Sequence, residues 1–288
     1  MSNLDFSHKY RIKDVDDEIN NLGRSINVMS DKLERTINQL RNSNIELEKD
    51  IEEKSKIDEM RKSFISDVSH ELKTPIALIQ GYSEGLLENV NTDEESRKFY
   101  AEVILDETNK MDKLVKQLLE LMKLEYGKRQ FNDKKFNIVE VEKEVVRKSK
   151  VMLEEKKVKI EFNLSEEINV FADDFYIEQV ISNYITNAIK HVKEIDGKKV
   201  ISIVNEVNIE KNKVRVKIFN TGENIAEEHI NRIWNRFYKV DESRNRTDGG
   251  TGIGLSFVKA IMNNYGNRYG VTNKDDGVEF YFDLDLIV

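Results

Sequence analysis

Apolar residues in the first part of the chain recur at helical spacing. Leu22, Ile26, Met29 and Leu33 step by four, three and four, which is a heptad seam. Ile37 follows at four instead of three, a stutter, and the seam resumes through Leu40, Asn44, Leu47 and Ile51 between charged residues. Asn44 on such a seam helps fix register at some cost in stability. Residues 14–60 hold no Pro and only Gly23, so the pattern predicts one long helix in a coiled coil. The period continues through Phe64, Val68, Leu72 and Ile76 to about Glu88. Residues 89–93 read as a turn, with Thr92 or Asp93 capping a second helix and Glu94 and Glu95 in its first turn. Val103, Met111, Leu114, Val115, Leu118, Leu121 and Met122 give that helix a broad apolar face, and Gly127 is placed to end it. Two amphipathic helices cannot bury these faces alone, whereas a homodimer forming a four-helix bundle can.

From about Phe131 the period shortens. Residues 157–162, 200–204, 213–219 and 279–286 alternate as half-buried strands do, and helices are predicted near 139–155, 174–191, 226–234 and 253–265. Strands and helices without regular βαβ alternation predict an α/β sandwich with its helices on one face.

Composition narrows the function classes. Charged residues make up 35% and aromatics 8%, a balance that suits long solvated helices more than one large core. The net charge of −8, without a basic tail, argues against nucleic-acid binding, so a polyanionic ligand needs a local positive pocket or a metal. The absence of cysteine excludes disulfides, thiol catalysis and Cys-ligated zinc, and fits a reducing compartment. No run approaches the roughly 18 apolar residues of a membrane span, and no signal peptide is visible, so the expectation is a soluble polypeptide.

Four stretches carry candidate chemistry. The first is the string Ser-His-Glu-Leu-Lys-Thr-Pro, residues 69–75. His70 lies beside the apolar stripe of its helix and can reach solvent. Glu71, one step round, can hold the imidazole tautomer or take its proton, which makes His70 able to act as a nucleophile. Pro75 is the only proline; inside a helix it removes a hydrogen bond and bends the axis. The second stretch is the helix holding Asn183 and Asn187, four apart on one face, with Lys190 and His191 following. An amide oxygen there can ligate Mg²⁺, although the pair alone reads equally as solvated helix asparagines. The third is Asn220-Thr-Gly after a strand, where a polar side chain before a Gly turn can meet a flat base. The fourth is Gly-Gly-Thr-Gly-Ile-Gly-Leu, residues 249–255, whose glycines let backbone N–H groups approach phosphates at a helix N-terminus. No Gly-x-x-x-x-Gly-Lys is present, so this is not a P-loop.

The first string resembles the H-box of bacterial sensor histidine kinases. The other three, in this order, resemble the N, G1 and G2 boxes of the Bergerat-fold ATPases. Residues 232–241, Arg-Ile-Trp-Asn-Arg-Phe-Tyr-Lys-Val-Asp, resemble the F-box of histidine kinases. This resemblance covers essentially everything after residue 60. It implies that His70 is phosphorylated from ATP and that the phosphoryl group passes to an Asp of a response regulator, with Thr74 positioning water to dephosphorylate that partner. It further implies that Asn187 carries Mg²⁺ and that Asn183 and Lys190 approach phosphates. Asn220, Gly222, Tyr238, Gly250, Thr251, Gly252, Gly254 and Leu255 would line the nucleotide site. Residues 238–252 would form a mobile lid, with Lys239 and Arg244 as phosphate contacts. His191 stands where an aromatic is common, and either stacks on adenine or simply closes its helix. Asn220 and Asn224 stand where the usual Asp and second Gly of G1 do, and Asn-Thr-Gly at this place resembles a branch of Gram-positive sensor kinases that includes the vancomycin-resistance sensors.

Residues 17–33 resemble the second helix of a HAMP signal-relay module opened by Glu18, with residues 1–13 as its connector. The implied layout is a partial HAMP at 1–34, a coiled-coil signalling helix at 35–62, a dimerisation and phosphotransfer domain at 63–127 and a catalytic ATP-binding domain at 128–288. That likeness also implies the cytoplasmic side of the cell membrane, with the membrane span in segments outside this chain. Two other readings are weaker. A Bergerat-type ATPase clamp is opposed by the H-box, and a non-catalytic relay by intact Asn187 and the G2 glycines.

Overall fold

The computed structural model describes residues 9, 11, 18–90, 93–125, 130–163, 167–240 and 251–287. The expected connector at 1–13 falls almost wholly outside them, and Thr92, Gly127, Arg244 and Gly250 lie outside them as well. The chain divides into two compact units, Met1–Ser69 and His70–Val288, and the division falls within the first helix.

That helix, α1, runs Glu18–Leu87 and continues through Pro75. In the first unit its seam is exposed in a single chain: Leu22, Ile26, Met29, Leu33, Leu40, Leu47 and Ile51 are 49–66% accessible. At its other end the chain closes without a glycine. Asn89 takes a left-handed φ of 52°, and the Val90 N–H donates to the Gly85 carbonyl at 3.1 Å. This is the Schellman stop, with Asn in the place where Gly is commoner. Asp93 is the cap of α2 (Glu94–Glu125): its Oδ1 accepts from the Ser96 N–H at 2.8 Å. The base of the hairpin is aromatic. Tyr82 meets Tyr100 edge-on at 4.9 Å, and a Cβ on Gly85 would stand 2.7 Å from the Tyr100 ring.

The broad apolar face expected for α2 is only partly confirmed. Leu114, Leu118, Leu121 and Leu124 are buried, but Val115 is 42% exposed. The C-terminal part of α2 packs on α7 (Gly254–Tyr265) of the same chain, so this part of the face is covered without a second copy.

The remaining elements are β1 (Lys134–Asn137), α3 (Ile138–Lys148), α4 (Lys150–Glu155), β2 (Lys159–Asn163), β3 (Asn169–Ala172), α5 (Asp174–His191), β4 (Val200–Asn208), β5 (Lys213–Thr221), α6 (Glu227–Ile230), β6 (Tyr269–Lys274) and β7 (Gly277–Asp285). Five strands form one sheet in the order β2-β4-β5-β7-β6, parallel only between β2 and β4; β1 and β3 form a separate antiparallel pair. Alternation does the work predicted for it: Val214, Val216 and Ile218 of β5 and Val278, Phe280, Phe282 and Leu284 of β7 are buried. They meet the apolar faces of α5 (Ile177, Val180, Ile181, Ile185, Ala188, Ile189) and α7 (Phe257, Val258, Ile261, Met262), which pack against each other. The helical layer is the expected sandwich. Asp173 caps α5, accepting from the Phe175 N–H at 3.1 Å. Gly266, φ 63°, ends α7. One predicted helix is interrupted and another is shorter than expected. The one near 139–155 breaks at Ser149, whose hydroxyl bonds the Val145 carbonyl, and the one near 226–234 keeps only Glu227–Ile230 before turns take over.

Glu142 on α3 is fully buried, and its Oε2 accepts from Asn205 Nδ2 at 3.0 Å. Glu142 Oε1 and Asn205 Oδ1 are buried without a partner. A protonated carboxyl can donate as well as accept. Burial pushes the Glu142 carboxyl up to about 7 from 4.5, against smaller opposing effects of the Asn205 hydrogen bond and the Lys143 charge. Below pH 4.5 the folded and unfolded chains both carry the proton, and the stability this group contributes is fully present. It is lost as pH rises from 4.5 to 7, by at most about 3 kcal/mol. Glu142→Gln is therefore expected to flatten the fall in melting temperature across that window and to stabilise the fold above it. Thermal melts of both proteins over the same pH range check this; parallel curves would refute it.

Candidate active site

The phosphotransfer string sits at the start of the second unit. His70 and Thr74 are exposed on α1 and Glu71 is half-buried. Pro75 has no N–H, so the Glu71 carbonyl, four residues earlier, loses its helical donor. The Glu71 carboxylate faces Lys239, Oε2 to Nζ 3.6 Å.

The three ATPase-like boxes converge although they lie far apart in sequence. Asn183 and Asn187 are half-buried on α5, while Lys190 and His191 are exposed at its last turn. Asn183 is held against the N-terminus of α7: a Cβ on Gly254 would lie 2.8 Å from Asn183 Oδ1, so Gly is needed for this approach. Leu255 is half-buried beside it. Ile253, at the N-cap of α7, makes no side-chain cap hydrogen bond of its own. Gly222 presses on the end of α5, where an added Cβ would meet the His191 carbonyl at 2.8 Å.

Asn220 is 3% exposed near the end of β5, and its Nδ2 donates to the Thr221 carbonyl at 3.1 Å. That carbonyl also accepts from the Lys193 N–H at 2.9 Å, and Thr221 Oγ1 donates to the Lys193 carbonyl at 2.8 Å. Thr221 therefore ties the strand end to the segment leaving α5. Two residues that the sequence did not single out complete the frame. Gly277 lets β7 pass behind Asn220, since a Cβ there would fall 2.0 Å from the Asn220 carbonyl oxygen. Asn273 pins the loop after G1, accepting from the Ile225 N–H and donating to its carbonyl at 2.9 and 2.7 Å. Neither carries a local signal, because each acts on a partner about fifty residues away in sequence.

Phe237, in the F-box-like stretch, has φ 59°, a conformation costing about 1–3 kcal/mol for a bulky residue. The strain is held by its N–H bond to the Gly252 carbonyl at 2.9 Å. Gly252 itself has φ 67°, and a Cβ on it would lie 2.7 Å from Phe237 Cα. Tyr238 Oη is 2.6 Å from His229 Nδ1, and Arg232 lies over the Tyr238 ring at 4.6 Å. This fixes Tyr238 just before Lys239.

The same surface meets α2. Thr251 Oγ1 donates to Gln117 Oε1 at 3.1 Å, Arg236 pairs with Glu125, and Asn264 Nδ2 donates to the Leu124 carbonyl at 3.1 Å. α5 thus meets two of the three boxes: Asn183 abuts Gly254 at the start of α7, and Gly222, two residues after Asn220, abuts the last residue of α5, while Gly252 packs on Phe237, two residues before Lys239. Lys239 in turn faces Glu71, next to His70.

An exposed helical histidine thus stands beside a carboxylate that faces Lys239, and the helices on the sheet carry paired asparagines on α5 and a close-packed glycine on α7. Residues 60–127 match the His Kinase A (phospho-acceptor) domain, and residues 172–287 match the histidine kinase-, DNA gyrase B-, and HSP90-like ATPase family. The chain is 31% identical over 226 residues to the sensor protein SrrB of Staphylococcus aureus, a match covering 78% of this chain and 38% of that protein. The chain therefore spans about two fifths of the length of the curated relatives it matches. Among solved structures, the Acinetobacter baumannii histidine kinase AdeS superposes with a TM-score of 0.63 at 25% identity, covering 76% of this chain and 98% of that one. The histidine kinase ThkA in complex with response regulator protein TrrA gives 0.60 at 26% identity, covering 77% and 60%. The chain belongs to the two-component sensor histidine kinases.

Proposed function

We propose that this chain transfers the γ-phosphoryl group of ATP to His70, passes it to an aspartate on a response-regulator receiver domain, and also dephosphorylates that partner. The observation that carries this reading is the Lys239–Glu71 contact, which brings a nucleotide-site residue to the carboxylate beside His70. An imidazole nitrogen of His70 attacks the γ-phosphorus, an N–P bond forms, the bridging P–O bond breaks, and ADP leaves with the electron pair. Glu71 orients the ring and accepts its proton. The regulator's carboxylate then displaces the histidine nitrogen. Catalysis rests on positioning and charge neutralisation, as in phosphoryl transfer generally.

In this reading Asn220 and Gly222 meet the adenine side, while His191 stacks on the base or closes α5. Asn183, Lys190, Tyr238, Lys239, Thr251, Gly252, Gly254 and Leu255 meet phosphates and ribose, together with Arg244 and Gly250 beyond the described residues. The N-terminus of α7, whose N-cap residue Ile253 makes no side-chain cap hydrogen bond, would offer N–H groups to an anion. Asn187 presents a half-buried amide oxygen, a hard donor that suits Mg²⁺. When bound there, Mg²⁺ supplies positive charge to the phosphate oxygens.

The exposed seam of α1 and the exposed Ile65, Ile76 and Phe99 of the hairpin support a homodimer that buries them. The HAMP-like stretch supports the layout 1–34, 35–62, 63–127 and 128–288, on the cytoplasmic side of a membrane to which segments outside this chain attach it. No described helix is long and apolar enough to cross a membrane.

Incubation with labelled Mg-ATP tests the proposal. A kinase yields an acid-labile, alkali-stable phosphoprotein, a clamp ATPase yields free phosphate, and a relay yields neither. Thr74→Ala is expected to leave autophosphorylation largely intact and to slow regulator dephosphorylation, since the exposed Thr74 hydroxyl can position water but is not the nucleophile. Unchanged phosphatase activity in that variant would remove the role.

A further inference from the structure

The Asn220 amide can stand either way round, and the two orientations fit different bases. With its oxygen toward the exocyclic amine and its nitrogen toward N1 it pairs with adenine; turned over, it pairs with the carbonyl and the N1–H of guanine. A carboxylate at this position has no such choice. In the structure one orientation is held. Asn220 Nδ2 donates to the Thr221 carbonyl at 3.1 Å, and turning the amide over would set its oxygen against that carbonyl. Asn220 is buried, so water does not freely replace the lost bond.

The carbonyl is held in turn through the Thr221 side chain. Thr221 is buried, and its Oγ1 donates to the Lys193 carbonyl at 2.8 Å while accepting at 3.1 Å from the N–H of Val200, the first residue of β4. The Lys193 N–H donates back to the Thr221 carbonyl at 2.9 Å. One hydroxyl therefore ties the end of β5 both to the start of β4 and to the segment leaving α5, and closes a reciprocal pair with Lys193. Only Ser or Thr offers a donor and an acceptor on one atom at this reach. Without the hydroxyl, Thr221 loses its links to both neighbours, and the carbonyl that holds the amide is free to shift.

Building on the functional reading above, in which Asn220 meets the base, we propose that Thr221 is a positioning residue for base specificity: its hydroxyl fixes the carbonyl that keeps Asn220 in the orientation that reads adenine and rejects guanine. The Asn at this position depends on its neighbour in a way that an Asp would not.

Calorimetric titration of the full chain with MgATP and MgGTP tests this. Thr221→Val keeps the side-chain shape and loses the hydroxyl. Its preference for ATP over GTP is expected to fall about threefold to tenfold, the worth of one neutral hydrogen bond, while Thr221→Ser keeps the preference of the unaltered chain. Thr221→Ala makes the same measurement where the Val variant does not fold. General damage lowers both affinities together and leaves their ratio alone. In an Asn220→Asp background, removing the hydroxyl is expected to leave the ratio unchanged, because a carboxylate has no orientation to lose. An unchanged ratio in the variants without the hydroxyl overturns the proposal, and so does an equal fall in the Asn220→Asp background or a Thr221→Ser chain that behaves like Thr221→Val. Equal ATP affinity in Asn220→Ala and the unaltered chain would instead take Asn220 away from the base, and the functional reading of that residue would fall first.

Discussion

A chain carrying His70→Gln is expected to bind MgATP as the unaltered chain does and to incorporate no acid-labile phosphate. His70 is exposed on α1, so the substitution removes no buried contact. It replaces a nucleophilic ring nitrogen with an amide, which is not nucleophilic. The groups assigned to nucleotide lie on α5, β5, α7 and the turns between them, which the change does not touch. The chain has four histidines, so the experiment discriminates among them. His229 is engaged with Tyr238 at 2.6 Å, and His191 sits at the end of α5. Acid-labile label retained in the variant would move the acceptor to one of the others and remove the role of His70. Loss of nucleotide binding would instead mean that the two halves do not act independently.

Asn220→Ala is expected to weaken ATP binding about ten- to a hundredfold, since stranding a buried polar partner costs about 1–3 kcal/mol and each decade about 1.4. The usual Asp of this position can only accept, taking a hydrogen bond from the adenine amine. An Asn accepts through its oxygen and donates through its nitrogen, so it can answer both N6 and N1 of adenine. In the structure Nδ2 already donates one hydrogen to the Thr221 carbonyl, which leaves its second for the base. That bond also orients the amide, turning the oxygen away from Thr221. Guanine inverts both partners, carrying a carbonyl at C6 and a proton on N1, so adenine remains preferred. Because an amide can flip, discrimination is expected to be weaker than with Asp. Titrating both proteins with ATP and GTP decides the matter: equal ATP affinity in the two would show that Asn220 does not read the base.

The parts legible in the sequence were those with a strong local period. β5 and the first part of β4 alternate because one face is buried, β7 does so in part, and α5 was legible to its ends because Asp173 caps it and its apolar residues recur at helical spacing. β1 and β3, four residues each, and β6, with Gly270 and a half-exposed pattern, were not foreseen. Strands this short or this exposed carry little periodicity. Phe237 escaped notice for another reason: a positive φ at an aromatic residue is imposed by Gly252 across space, and local propensity argues against it. The candidate site was legible as separate motifs but not as an arrangement. Nothing in the sequence relates Thr251 to Gln117 or Lys239 to Glu71, since these pairs are long-range and lie on surfaces that also suit solvent. The apolar face of α2 was read correctly as sticky but assigned wholly to a second copy, whereas α7 covers its C-terminal part.

The strand order has a consequence for biosynthesis. β7 is the central partner of both β5 and β6, and it lies at Gly277–Asp285, after every other strand of the sheet. Until it leaves the ribosome, β5 has a bare edge, β6 has no neighbour, and the wall behind Asn220 is missing. The hairpin of α1 and α2 closes over a short turn and can fold while the rest is being made, because local contacts carry little loop entropy. The nascent chain therefore has the local contacts of the hairpin well before its sheet is complete, with the C-terminal part of α2 covered only once α7 follows, and a ribosome that stalls before Gly277 leaves the sheet without its central strand.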